Sequence, residues 1–173
     1  MTTMKDELGR KCVTDLTAKL GTRVYPVGRL DKDSEGVLLM TNDGAFANLM
    51  MHPRNHVSKT YRVTVDSDVN DDILAELAAG IYIDTGRTAP AIIDVLDKAP
   101  GRSVLRIVLH EGKNRQIRKM CEAVGLNVVR LKRIAVGSLK LGMLKPGEYR
   151  LLTPQEIKSL KTFANSKKTG QGE

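Results

Sequence analysis

Residues 59–66 alternate. Tyr61, Val63 and Val65 fall to one side, Arg62 and Thr64 to the other, which is the pattern of a strand with one buried face. Residues 103–110 alternate in the same way, and 128–136 is again strand-like. Residues 81–84 and 91–97 read as strands separated by a turn at Thr85-Gly86-Arg87, and the apolar run 37–41 ends at the turn signal Asn42-Asp43-Gly44. Helices are expected at 12–20 before Gly21, at 45–51 before His52-Pro53, after Asn70 as far as Gly80, at 114–124 before Gly125, and at 154–164. Thr153-Pro154-Gln155-Glu156 is a capping box for the last of these, and the turn Lys145-Pro146-Gly147 precedes 149–152. Strands outnumber helices and do not alternate strictly with them. That predicts an α+β chain with a mainly antiparallel sheet rather than a doubly wound one.

The chain has 173 residues, 41% of them hydrophobic, enough for one domain with its own core. We expect that domain over residues 1–164, and a disordered tail over the polar 165–173. The net charge of +8 favours an acidic partner, nucleic acid before an anionic membrane surface. Cys12 and Cys121 stand far apart, and Pro53 separates His52 from His56, so neither a disulfide framework nor a metal site is expected. Nowhere do eighteen apolar residues follow one another, and no signal-peptide core opens the chain. The expectation is a soluble, cytoplasmic protein without a membrane partner, monomeric by default. Aromatic residues are scarce at 3%, too few for a broad stacking platform but enough to hold a single base.

Three segments carry candidate chemistry. The first is Tyr25-Pro26-Val27-Gly28-Arg29-Leu30-Asp31-Lys32-Asp33-Ser34-Glu35-Gly36. Its three carboxylates, Asp31, Asp33 and Glu35, fit a solvated loop, a site for a hard cation, or a single carboxylate, Asp31, at work on a sugar carbon. In the last case Leu30 supplies a wall beside it and Arg29 reaches toward RNA. In the second segment, Glu111-Gly112-Lys113-Asn114-Arg115-Gln116-Ile117-Arg118-Lys119-Met120-Cys121, a helical projection puts Ile117, Met120, Cys121 and Val124 on an apolar stripe. Arg115, Lys119 and Glu122 then point away, and Arg118 sits on the shoulder, where a partly buried guanidinium can orient a carboxylate. The basic face is either an ordinary solvated helix surface or a phosphate-binding one. The third segment is Lys59-Thr60-Tyr61-Arg62-Val63, whose Tyr61 is either a core ring or a ring that stacks on an extruded base. A further basic group, Arg130, Lys132 and Arg133, alternates with Val129, Leu131 and Ile134. It predicts one basic strand face, suited to an RNA backbone or simply to solvent.

Gly28-Arg29-Leu30-Asp31, continued as Asp33-Ser34-Glu35-Gly36-Val37-Leu38-Leu39-Met40-Thr41-Asn42-Asp43-Gly44, resembles the catalytic signature of bacterial ribosomal pseudouridine synthases. The subfamily is the one containing the small-subunit enzyme A and the large-subunit enzymes B, E and F, with the B type most similar. Lys59-Thr60-Tyr61 is similar to the family's tyrosine motif, and 111–120 to the later motif ending in Gln-Ile-Arg. Asp6-Glu7-Leu8-Gly9-Arg10-Lys11 is similar to the start of the B-type catalytic domain. The resemblance implies a pseudouridine synthase fold, a mixed, mainly antiparallel sheet with flanking helices and a central RNA-binding cleft. It implies Asp31 as the essential aspartate, Arg118 as the basic residue paired with it, Tyr61 as the ring against the target base, Ile117 as a pocket-lining residue, and Arg29 as an arginine entering the RNA. Lys59, Lys113, Asn114, Arg115, Lys119, Arg130, Lys132 and Arg133 complete the candidate RNA-binding set. Members usually also carry a small N-terminal RNA-binding domain and a Lys-Pro-containing strand ahead of the stretch matched by Thr2-Thr3. We therefore expect the first strand and one wall of the cleft to be missing here.

The implied partner is ribosomal RNA, the large subunit favoured, free or in a pre-ribosomal particle. The implied reaction is redox-neutral and needs no cofactor, and the chain has no G-x-x-x-x-G-K-[ST] loop. The alternatives are a non-catalytic rRNA-binding or ribosome-assembly module, and a metal-dependent nuclease built on Asp31, Asp33 and Glu35.

Overall fold

The computed structural model describes residue 2 and residues 12–166. The motif at 6–11 and residues 167–173 of the expected tail lie outside the described residues. Two compact units emerge from the contacts. One comprises the described residues of Met1–Val57 and Ala135–Glu173, the other Ser58–Ile134.

The first unit begins with the short helix α1 (Val13–Leu16), followed after Thr17 by a 3-10 turn, Ala18–Leu20. The single helix expected here is thus interrupted, and Gly21 ends it in the left-handed conformation that glycine adopts at least cost (φ 70°). Strands β1 (Tyr25–Pro26), β2 (Glu35–Gly36) and β3 (Met40–Thr41) follow. β1 and β3 pair antiparallel, Tyr25 opposite Thr41 and Pro26 opposite Met40. Most of the apolar run 37–41 is therefore not a strand. Val37 and Leu39 are buried instead as irregular chain. Asn42-Asp43-Gly44 does not join two strands. Asp43 is the N-cap of α2 (Gly44–Met51), its carboxylate accepting from Phe46 N at 3.0 Å.

The second unit starts with β4 (Lys59–Val65), where Val63 and Val65 are fully buried as the alternation requires. Helix α3 (Asp71–Ala79) is capped by Asn70, whose Oδ1 accepts from Ile73 N at 2.9 Å. Its first turn holds Asp71 and Asp72, where carboxylates favour the helix dipole. Gly80 follows at φ 89°, and a Cβ there would stand 2.2 Å from the Thr88 carbonyl oxygen. Strands β5 (Tyr82–Ile83) and β6 (Gly86–Arg87) make a tight hairpin, so Gly86 and Arg87 lie in a strand and not in the expected turn. Then come β7 (Ile92–Ala99), β8 (Arg102–Leu109), α4 (Gln116–Ala123) and β9 (Val128–Val136). The sheet order is β9-β4-β8-β7. β8 pairs antiparallel with both β4 and β7, with a register shift between Val95 and Asp97. The core of this unit joins Val63, Val65, Leu105 and Ile107 from the sheet to Leu77, Ile117, Met120 and Cys121 from α3 and α4. Both helices therefore cover one face of the sheet.

Helix α4 begins two residues later than expected. Arg115 is its N-cap with φ 48°, a left-handed residue outside the helix. The basic face expected for β9 also needs correction. Arg130 is exposed and Lys132 half-buried, but Arg133 is 4% exposed and shares the opposite, buried side with Leu131. The period of two puts 131 and 133 together and 130 and 132 together, so the three cations never shared a face.

Back in the first unit, the end of β9 pairs antiparallel with β10 (Leu139–Lys140). Residues 149–152 join no sheet and carry no regular secondary structure. Helix α5 (Pro154–Ser166) opens with the expected capping box: Glu156 N donates to Thr153 Oγ1 at 3.2 Å, and Thr153 N donates to Glu156 Oε2 at 2.9 Å. It runs two residues past the expected end, so Asn165 and Ser166 are helical. Leu160 and Ala164 pack with Val27, Val37, Leu39 and Phe46 in this unit's core. No helix among the described residues is long and apolar enough to cross a membrane.

Candidate functional site

In the first unit the Asp31 segment is a loop with a pinned stem. The β1–β3 pairing closes its base, and Val27 N donates to Leu39 O at 2.8 Å one step further in. Buried Val27, Val37 and Leu39 anchor both ends in the core. Gly28, at φ 79°, sends the chain out of the ladder. Between these anchors Ser34 N donates to Asp31 O at 2.9 Å, closing a turn over Asp31-Lys32-Asp33-Ser34. The backbone just before it is also held. Thr2 Oγ1 donates to Leu30 O at 2.9 Å and accepts from Leu30 N at 3.2 Å. Asp31 thus sits on backbone fixed on both sides, half-buried, while Arg29 and Asp33 are exposed. Leu30 is only half-buried, a partial wall and not the buried one expected. Among the described residues no group of three or more His, Cys, Asp or Glu side chains converges as metal ligands. Asp31, Asp33 and Glu35 do not form such a cluster.

In the second unit β4 and α4 bring the other motif residues to the helix-covered side of the sheet. Tyr61 is half-buried and packs against the core cluster. Ile117 is buried on α4, as its apolar stripe requires. Arg118 lies on the shoulder, half-buried, with Nη1 donating to Val128 O at 3.3 Å. Burial pushes the neighbouring Cys121 thiol up to about 12, and the Arg118 charge works against that rise. Lys59 is a perturbed cation on β4. Burial, and then repulsion from Arg133, lowers its ammonium below 10.5.

The loop leading into α4 is organised by Gln116, which the sequence reading left without a role. Its side chain is 4% exposed. Its Oε1 accepts from Lys113 N at 3.0 Å and its Nε2 donates to Glu111 Oε1 at 2.6 Å. The same Glu111 oxygen accepts from Ala89 N at 2.8 Å. A glutamine at the first position of an amphipathic helix was the one available signal, since it falls next to the apolar stripe. The expected phosphate-binding cations are partly committed within the unit. Lys113 Nζ donates to Arg87 O at 2.6 Å, and Lys119 Nζ to Asp84 Oδ2 at 2.8 Å. Asn114 and Arg115 are exposed.

Residues 3–123 match the model of the RNA pseudouridylate synthase family. The chain is 44% identical over 163 residues to ribosomal large subunit pseudouridine synthase B of Bacillus subtilis, an alignment covering 93% of this chain and 67% of that protein. It is 39% identical over 147 residues to ribosomal large subunit pseudouridine synthase E of Xanthomonas campestris, covering 76% of this chain and 79% of that one. A crystal structure of a pseudouridylate synthase superposes with a TM-score of 0.79 at 33% identity, over 86% of this chain and 65% of the other. The chain belongs to the RNA pseudouridylate synthase family, and its mixed, mainly antiparallel fold is that family's fold. It spans about two-thirds of the length of several of these relatives.

Proposed function

We propose that the chain isomerises a uridine of ribosomal RNA to pseudouridine, large-subunit RNA being the favoured substrate, with Asp31 as its catalytic carboxylate. The observation that carries this reading is the Gly28–Gly44 motif folded as a stem-pinned loop. The Ser34–Asp31 turn and the Thr2 clamp on Leu30 hold the Asp31 backbone in one geometry, and a carboxylate that must meet one carbon of one sugar needs such preorganisation.

The reaction breaks the C1′–N1 bond, turns the detached uracil and forms a C1′–C5 bond. The proton lost from C5 balances the one gained at N1, so neither oxidant nor phosphate energy is consumed. Asp31 supplies negative charge at C1′ as positive charge develops there, the task a carboxylate performs in glycoside hydrolysis. Uracil is itself the leaving group and must be kept, so the site has to exclude water. The base reaches the enzyme flipped out of its stack, at a cost of a few kcal/mol. The half-buried Tyr61 ring offers it a surface for stacking. Arg118 is proposed as the basic residue that pairs with Asp31 and orients it, and its half-buried shoulder position on α4 supports that role. Ile117 is proposed as part of the pocket lining, and Arg29, exposed on the loop, as the RNA-entering arginine.

The test is incubation with unmodified large-subunit ribosomal RNA in EDTA, followed by carbodiimide labelling and primer extension, with Asp31→Asn alongside. We expect one new pseudouridine with the wild-type protein and none with the variant, at nearly equal RNA affinity. The same modification made by Asp31→Asn would end the proposal. RNA binding by both proteins without product would support a non-catalytic rRNA-binding module instead.

A further inference from the structure

In the Ser58–Ile134 unit the face of the sheet opposite α3 and α4 carries a band of cations. Arg62 on β4 stands directly opposite Arg106 on β8. Both are exposed. On β9, next to β4, the residues alternating with core-facing Leu131 are Arg130 and Lys132. On β7, Asp94 is the register partner of Arg106 and accepts from its Nε at 2.8 Å. The band thus sets Arg62, Arg106, Arg130 and Lys132 beside Asp94, and the register continues the same face to Arg102 and Asp97, which pair with each other at 3.1 Å. Like charges directly opposite on neighbouring strands cost stability. Asp94 relieves Arg106 from one side and leaves Arg62 facing it from the other.

We propose that this face is an RNA backbone contact, separate from the helix-covered face that carries Tyr61 and Arg118. The inference rests on the reading of the chain as an enzyme of ribosomal RNA. Neighbouring strands place cations about 4.8 Å apart and alternate residues of one strand about 7 Å apart, a spacing on which phosphates of a single backbone can be met in succession. Thr60, Thr64, Ile92, Val104 and Val108 share this face, Val104 buried and Ile92 exposed. No aromatic ring interrupts it among the described residues, so it has neither a stacking platform for bases nor the aromatic anchor typical of a protein interface. It would neutralise phosphates without reading sequence. Two faces of one sheet engaging one substrate require a folded RNA with more than one backbone segment at hand. The substrate class is therefore a structured ribosomal RNA domain and not an isolated hairpin loop.

The test is direct binding, read as log Kd against log salt, to a folded large-subunit RNA domain and to a short hairpin. The proteins compared are the wild type, Arg62→Gln/Arg130→Gln, and Lys161→Gln, which removes a charge from α5. We expect the double variant to bind the folded domain more weakly, with a salt slope shallower by about 1 to 2, and to bind the hairpin nearly as the wild type does. Its melting temperature should be unchanged or raised, because a like-charge pair has been removed. Lys161→Gln should leave the slope unaltered. A wild-type slope and affinity in the double variant would overturn the inference, as would an equal loss in Lys161→Gln, which would mean that only net charge matters. Catalysis is not read in this assay. A protein that binds as described yet forms no pseudouridine would end the functional proposal alone, and one that modifies RNA but shows no effect of the double variant would end this inference alone.

Discussion

Gln116 and Glu111 are joined by a 2.6 Å hydrogen bond in which a buried carboxamide donates to a carboxylate oxygen already held by Ala89 N. The other end of the same amide accepts from Lys113 N. One side chain therefore closes the loop that introduces α4 and ties it to the chain before β7.

Truncating that side chain should be felt in stability. Gln116→Ala leaves the Lys113 N–H and the Glu111 carboxylate short of a partner, and should lower unfolding free energy by about 1–3 kcal/mol. Gln116→Glu is nearly isosteric but sets a second carboxyl against Glu111 in a buried place. Its folded carboxyl pKa rises above the unfolded value, so this variant should lose stability as pH rises through the carboxylate range. Urea titration reads both. A wild-type midpoint for Gln116→Ala would refute the linchpin role.

Lys59 should show the opposite relation between stability and function. Burial and then Arg133 lower its folded pKa below the ordinary lysine value of 10.5. The unfolded chain holds this proton more tightly, so wild-type stability should rise as pH climbs toward 10.5. Lys59→Met removes the charge and keeps the stem. It should unfold at a higher urea concentration near neutral pH, lack that alkaline rise, and bind ribosomal RNA less tightly. A variant less stable than the wild type at neutral pH would count against the assignment.

The cap of α5 predicts an acid transition. Hydrogen bonding to Arg150, reinforced by Thr153 N, holds the Glu156 carboxyl down at about 2, against 4.5 for the free group. Its contribution is thus fully present above 4.5 and is lost as pH falls from there toward about 2. Carboxyl-detected NMR titration should place the Glu156 midpoint well below 4.5, and Arg150→Gln should bring it back. A midpoint near 4.5 with Arg150 intact would contradict the pairing.

The sequence made the long strands legible because β4, and β8 apart from its buried Val104, bury one face, and a period of two is the visible trace of that burial. Helix caps were legible too: Asn70 and Thr153 are short polar side chains, each followed by a helical run, and each makes the bond its position implies. The two-residue strands β1, β3, β5 and β6 have no period to detect, so their pairing is a property of the folded chain alone. Arg115 in a left-handed cap was missed for a related reason, since its conformation is decided by the folded chain. Arg133 was legible, because the period of two places it with Leu131, but its charge argued for the surface. At the candidate site the Asp31 motif was legible through resemblance, while its physical support was not. Neither the Thr2 clamp on Leu30 nor the Gln116 linchpin leaves a pattern in the sequence.

The division of the chain also orders its synthesis. Ser58–Ile134 is one continuous stretch, whereas the unit holding the Asp31 loop is assembled from both sides of it. The middle of the chain therefore has every residue of its own core in hand before translation ends. The loop's core includes Leu160 and Ala164, which are made only after that middle stretch is complete. The loop that carries Asp31 therefore has an incomplete core until a stretch of chain beyond the whole middle unit has been made.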